Sequence, residues 1–258
     1  MKLRRITFAL ALAGLFAPAA EAQQSLNARL EAGALGNVEA GTYAAGDNVT
    51  FTLLPWNGKF LLQIAGDPET YVLTSDQGSL GGRVLKYDSG ATAIHISGWG
   101  GMTLYTDDNP SGLPAVRTGD LPPEPQTKLK LRDVEKAADD ASGHLANLRG
   151  VKLGFSADWH NLASMPGLWF GMIQAIGNAG RGIERFTGSH RAMLAIRRFD
   201  SVQVGAGAGP AVTLAGHTIL ITFNPDNGPA GLASSRAIAR ALGSALSIPP
   251  VPTARPGE

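Results

Sequence analysis

"VTFTLLPWNGKFLLQIAGDPETYVLTS", residues 49–75, decides how the first half of this chain is read. Three short apolar runs, "VTFTLLP", "KFLLQIA" and "TYVLTS", are separated by "WNG" and "GDPE". Runs of this length are too short for helices, and the residues between them are turn formers. Gly66-Asp67-Pro68-Glu69 fits a tight reversal, because Pro68 presets its own φ and the Asp67 side chain can bond the backbone ahead. The same rhythm continues through "RVLKY", "TAIHIS" and "MTLYT", with "SDQGSLGG", "DSG" and "GWGG" between them. The expectation over residues 48–117 is an antiparallel β meander, closed as a small barrel or folded as a sandwich.

The character changes after "TGDLPPEPQTK", residues 118–128, a proline-rich stretch read as a linker. Leu131, Val134, Ala138, Ala141, Leu145 and Leu148 then recur at three- and four-residue spacing and stop at Gly150, the pattern of an amphipathic helix with a glycine cap. "VKLGFS" reads as a strand, and "SMPGLWFGMIQAI" as a mostly buried helix capped by Ser164 and started by Pro166. "DSVQVGAG" and the hairpin "AVTLAGHTILITF" are β, and "SSRAIARALGSAL" is a helix. Residues 128–248 are thus an α+β unit behind an all-β one, giving an α+β chain, and the proline-containing tail 249–258 is expected to be disordered.

The segments "GDPETYVL", "GSLGGRVLKYDSG" and "SGWGGMTLYT" resemble exported proteobacterial proteins that form a family of unknown function. The resemblance spans residues 48–117. It implies export, and it carries over neither an activity nor any functional residue.

Export is also the reading of the N-terminus. In "MKLRRITFALALAGLFAPAAEAQQ" three basic residues precede an apolar run from Ile6 to Phe16 and an Ala20-Glu21-Ala22 cleavage site, which describes a signal peptide over residues 1–22. The run is short of the roughly 18 to 20 residues that span a bilayer. With no cysteine, the chain has neither a disulfide nor a lipidated cysteine. The expected product is soluble, periplasmic or secreted, without a transmembrane segment. Residues 23–120 carry 5 basic and 10 acidic side chains, and residues 121–258 carry 14 and 10, so the two halves have opposite surface charge.

Common catalytic signatures are missing. No glycine-flanked serine elbow or HExxH occurs, and the five histidines are dispersed. No metal and no cofactor are expected. Asp158 and His160 in "SADWHN" stand two apart, so on an extended segment both would point to one side, where the carboxylate could orient the imidazole as a general base. The competing reading is a polar pair bonding its own loop. "NPDNGPAGLASSR" lies between a strand and a helix, and Ser234, Ser235 and Arg236 could hold an anion at the helix N-terminus. A serine there is equally a helix cap. Arg181, Arg185, Arg191, Arg197 and Arg198 form the strongest basic cluster; its expected partners are an anionic envelope component, another periplasmic protein or the acidic first half, not nucleic acid.

Trp99 lies among Gly98, Gly100 and Gly101, so its indole is either a ligand-stacking face or, the favoured expectation, a structural core residue. The function expected overall is a periplasmic binding or envelope-interaction module. An envelope-associated hydrolase using Asp158 and His160 is the alternative.

Overall fold

Each turn cluster read from the sequence joins two antiparallel strands, and the resulting ribbon closes on itself. The computed structural model describes residues 38–123 and 128–248. The signal peptide and the tail 249–258 lie outside the described residues. The strands are β1 (Gly41–Ala45), β2 (Val49–Trp56), β3 (Lys59–Ile64), β4 (Thr70–Gln77), β5 (Arg83–Lys86), β6 (Thr92–Ile96), β7 (Met102–Leu104) and β8 (Leu113–Gly119). Each pairs with the next, and β1 pairs with β8, so the meander is a closed barrel.

Strand alternation fills the barrel. Tyr43 and Ala45 on β1, Phe51 and Leu53 on β2, Phe60 and Leu62 on β3, and Tyr71 and Leu73 on β4 are all buried, two residues apart, as a two-residue side-chain period requires. Tyr43 stacks on Phe51 with ring centroids 5.2 Å apart. Burial of each large side chain contributes about 1.5–3 kcal/mol before the entropy of ordering is charged against it. β1 and β8 lie outside the six strands read from the sequence. "GTYAA" is mostly small residues, and "LPAVRTG" contains a proline and runs into the segment read as a linker.

The remaining elements are α1 (Leu131–Arg149), β9 (Gly154–Ser156), α2 (Trp159–Ala163), α3 (Trp169–Phe186), α4 (His190–Ile196), β10 (Ser201–Ala206), β11 (Ala211–Ala215), β12 (Thr218–Phe223) and α5 (Ser235–Ala245). The strands form a sheet in the order β11-β12-β10-β9, with β10 parallel to both neighbours and β11 antiparallel at the edge. The chain is α+β.

On α1 the buried residues are Val134, Ala138, Ala141 and Leu145, and Gly150 closes the helix in the left-handed conformation at φ 62°. Leu148, from the same periodic series, is exposed. The next long helix starts later than the sequence suggested. Ser164 ends α2, Pro166–Leu168 forms a 3-10 turn, and α3 begins at Trp169. Glycine sets how closely α3 approaches its neighbours: a Cβ on Gly182 would stand 2.6 Å from Ile238 Cγ2 on α5. Barrel and α/β elements, from Glu39 onward, belong to one compact unit.

Candidate ligand-binding site

Hairpin loops of a meander alternate between the two ends of its barrel. The β3–β4, β5–β6 and β7–β8 loops therefore share one end, and they carry Asp67 and Glu69, Asp88, and Asp107. That acidic end meets the N-terminus of α5. Glu69, with no exposed surface, accepts hydrogen bonds from the Ser235 N–H at 2.7 Å and the Ser235 hydroxyl at 2.6 Å. Asp88 accepts from the Ser234 N–H at 3.1 Å and the Ser234 hydroxyl at 2.5 Å. The first turn of a helix has N–H groups without intrahelical acceptors and the positive end of the macrodipole, so two carboxylates there are doubly favoured.

Arginines from α3 and α5 complete the clasp. Arg181 Nε lies 3.4 Å from Glu69 and its other arm donates to Asn178 Oδ1 at 2.7 Å. Arg185 donates to Ser235 Oγ at 2.9 Å and pairs with Asp107, while Arg236 pairs with Asp107 at 2.6 Å and stacks over the Tyr87 ring at 4.1 Å. Tyr71 donates to Asp67 at 2.8 Å. Burial pushes the Tyr71 phenol well above its ordinary range, and the nearby Glu69 carboxylate adds to the rise. Tyr87 is raised by burial too, with Arg236 pulling the other way.

Ser234, Ser235 and Arg236 thus all engage side chains of the barrel loops. Ser234 is also the N-cap of α5, accepting from the Ala237 N–H at 3.1 Å. Of the basic cluster, Arg181 and Arg185 face the acidic loops, whereas Arg191, Arg197 and Arg198 are exposed. Asp158 and His160 do not ride on an extended strand. Asp158 caps α2, taking the Asn161 N–H at 3.2 Å and its side-chain amide at 2.6 Å, and His160 is an exposed helical residue. The reason is local: Asp158, three residues before Asn161, supplies a cap acceptor, and the cap nucleates a turn where a strand was expected. Trp99, expected in the core, is 89% exposed.

With the acidic end pinned to α5, part of the barrel's outer wall faces α3 across an open groove of about 430 Å³. Thr52, Leu54, Leu61 and Gln63 project into it from β2 and β3, and Leu168, Phe170, Gly171 and Gln174 come from the α3 side. Phe223, Pro225 and Leu232 line it from the sheet and the turn that follows, and Leu121 to Pro123 flank it. A Cβ on Gly171 would come 3.0 Å from the Phe223 ring, so glycine keeps the helix close to that ring at the groove.

Among the described residues no Asp, Glu, Lys, Arg or His lines this groove; its polar groups are amides and hydroxyls, among them Gln63, Gln174, Thr52 and Thr70. An apolar concavity with a few neutral hydrogen-bonding groups suits an uncharged, mostly apolar molecule, and its volume lies in the small-ligand range. Sequence reasoning missed these residues. The one signal was "LWFGM", read as core helix: Met172 and Ile176 are indeed buried, but Phe170 is exposed on the other side of the same helix.

Among the described residues no group of three or more His, Cys, Asp or Glu is placed to hold a metal ion, and no helix is long and apolar enough to cross a membrane. No curated protein and no solved structure matches the chain. A family model does match it, over residues 24–242, far beyond the segment 48–117 in which the resemblance was read. The chain belongs to that family, described as a domain of unknown function (DUF4908).

Proposed function

We propose that this protein is an exported, non-catalytic binding module that takes an uncharged, largely apolar small molecule, of the acyl-chain kind, in the groove between the barrel wall and α3. The observation that carries the reading is the lining: about 430 Å³ of concave space to which no described residue contributes a charged side chain. A charged ligand group buried there would lose hydration and gain no counter-charge. Gln63 and Gln174 would orient a neutral polar group on an otherwise apolar ligand. The signal-like N-terminus supports a periplasmic or secreted location.

The neutral fluorophore N-phenyl-1-naphthylamine tests the site. The protein should raise its emission, a long-chain alcohol should displace it, and Leu61→Glu should abolish uptake by placing a charge in the groove. Absence of uptake by the wild type, or unchanged uptake by Leu61→Glu, would count against the reading. Native mass spectrometry of protein purified from its own periplasm would identify a retained ligand. For the hydrolase alternative, Asp158 and His160 remain the residues to replace; the Asp158 carboxylate is already engaged by Asn161.

A further inference from the structure

Among the described residues the two most exposed large apolar side chains, Trp99 at 89% and Leu80 at 85%, sit on neighbouring loops. Leu80 is in the β4–β5 loop and Trp99 in the β6–β7 loop, both at the barrel end away from the acidic clasp. The loops are pressed backbone to backbone. A Cβ on Gly98 would lie 2.1 Å from the Leu80 carbonyl oxygen, and one on Gly82 would lie 2.5 Å from the Ile96 carbonyl oxygen. The glycines therefore do more than turn the chain: they fuse two hairpin tips into one projection bearing a leucine and a tryptophan.

Leu80 adopts φ 53°, ψ 38°, the left-handed region that favours glycine, with a side chain left in water. That conformation is costly for leucine, and burial gives nothing back. An unrewarded outlier of this kind points to a role outside the isolated fold.

We propose that the Leu80–Trp99 tip seats in the interfacial region of a lipid bilayer. Residues 78–82 and 97–101 contain only Gly, Ser, Leu and Trp, without a charged side chain to be dehydrated on insertion. The loops also satisfy much of their own backbone. The Gly78 N–H donates to Gly82 O at 2.8 Å, Ser97 to Gly101 O at 2.8 Å, Gly100 to Ser97 O at 3.0 Å, and Gly101 to Ser97 Oγ at 2.9 Å. Internal satisfaction of this kind is what a less aqueous surrounding demands. A protein partner is the weaker fit, since protein interfaces surround an apolar centre with a polar, hydrogen-bonding rim, and the chain neighbours that flank the two side chains within these segments are glycines and two serines. An indole, apolar in body and polar at its N–H, suits the headgroup level of a membrane.

Two side chains insert less apolar surface than one myristoyl chain, so the association is weak and reversible and needs lipid at about millimolar concentration to be seen. With no charge in either loop segment, and Arg83 the nearest charged residue along the chain, it depends only weakly on salt. This inference stands apart from the groove.

The test is cosedimentation of the full exported chain with phosphatidylcholine vesicles at high salt, alongside tryptophan emission. Wild type should partition, with a blue shift that Trp99→Phe identifies as belonging to residue 99 and quenching by brominated lipid. Trp99→Ala should lower the partition coefficient roughly tenfold or more. Leu80→Gly should lower it several-fold while the thermal midpoint holds or rises, because glycine adopts the left-handed conformation without strain. That variant keeps the test valid if Trp99→Ala disturbs folding. The proposal is overturned if the wild type fails to partition, if both variants partition like it, or if Trp99 instead mediates self-association or retention on cell-wall polysaccharide without vesicle binding.

Discussion

Replacing Glu69 by alanine should uncouple the barrel from α5. Glu69 is fully buried and accepts two hydrogen bonds from Ser235, at 2.7 and 2.6 Å, with Arg181 at 3.4 Å. Truncation strands the Ser235 N–H and hydroxyl and leaves Arg181 without its carboxylate. Hydrogen bonds to a charged acceptor contribute about 1.5–3 kcal/mol each, and breaking one side of a buried charged pair costs about 3–5 kcal/mol. These figures describe overlapping interactions, so the expected loss is about 3–5 kcal/mol in all. For a chain of this size that corresponds to a fall in thermal midpoint on the order of 10 °C. Urea unfolding followed by circular dichroism should show a lower midpoint at unchanged slope. Glu69→Gln, which keeps an acceptor but not the charge, should cost about half as much. The control is Asp76→Ala, which removes an exposed pair with Lys86 and should cost under about 1 kcal/mol. If Glu69→Ala is no worse than Asp76→Ala, the clasp does not hold the two layers together.

Gly182→Ala should destabilise by about 1–3 kcal/mol, because the new Cβ would stand 2.6 Å from Ile238 Cγ2 and 3.0 Å from the Ser235 carbonyl; a neutral result in urea would mean that α3 and α5 slide apart freely. Above about pH 10 stability should fall, since Tyr71 and Tyr87 ionise more readily unfolded than folded and the unfolded chain then binds fewer protons; Tyr71→Phe should flatten that fall, and a profile identical to wild type would exclude Tyr71 from it. Cutting a protease site engineered into residues 124–127 should give fragments that still co-elute, held by Glu69, Asp88 and Asp107; fragments that separate as folded pieces would favour independent units.

What the sequence revealed was local. The strands from Val49 to Leu104 and the helix from Leu131 are written in turn clusters and in three- and four-residue spacing, which short windows contain. β1 and β8 were illegible because their identity comes from pairing with each other, Thr42 with Gly119 and Ala45 with Ala115, and not from their own composition. The cap at Ser234 was readable, but its anion was not: Asp88 and Glu69 lie 146 and 166 residues from their serine partners. The groove was hidden for a similar reason, since Leu54, Leu61 and Phe170 are ordinary apolar residues until two layers leave space between them. Trp99 misled because the burial tendency of tryptophan is an average, and two fused glycine loops have no interior to put it in.

The long span of the clasp also bears on the order in which the chain gains structure. The barrel hairpins pair nearest neighbours and can close within microseconds once each is complete. Glu69 must wait for Ser235, 166 residues later. At a synthesis rate of about 5–20 residues per second, that interval lasts about ten seconds or more. Until Arg181 follows, 112 residues after Glu69, the carboxylates of Glu69, Asp88 and Asp107 have neither α5 nor the α3 arginines to meet. Hydrated carboxylates repel one another, so the nascent barrel ends in an acidic crown that discourages premature association with its neighbours. Arrival of Ser235 and the arginines then extinguishes that crown.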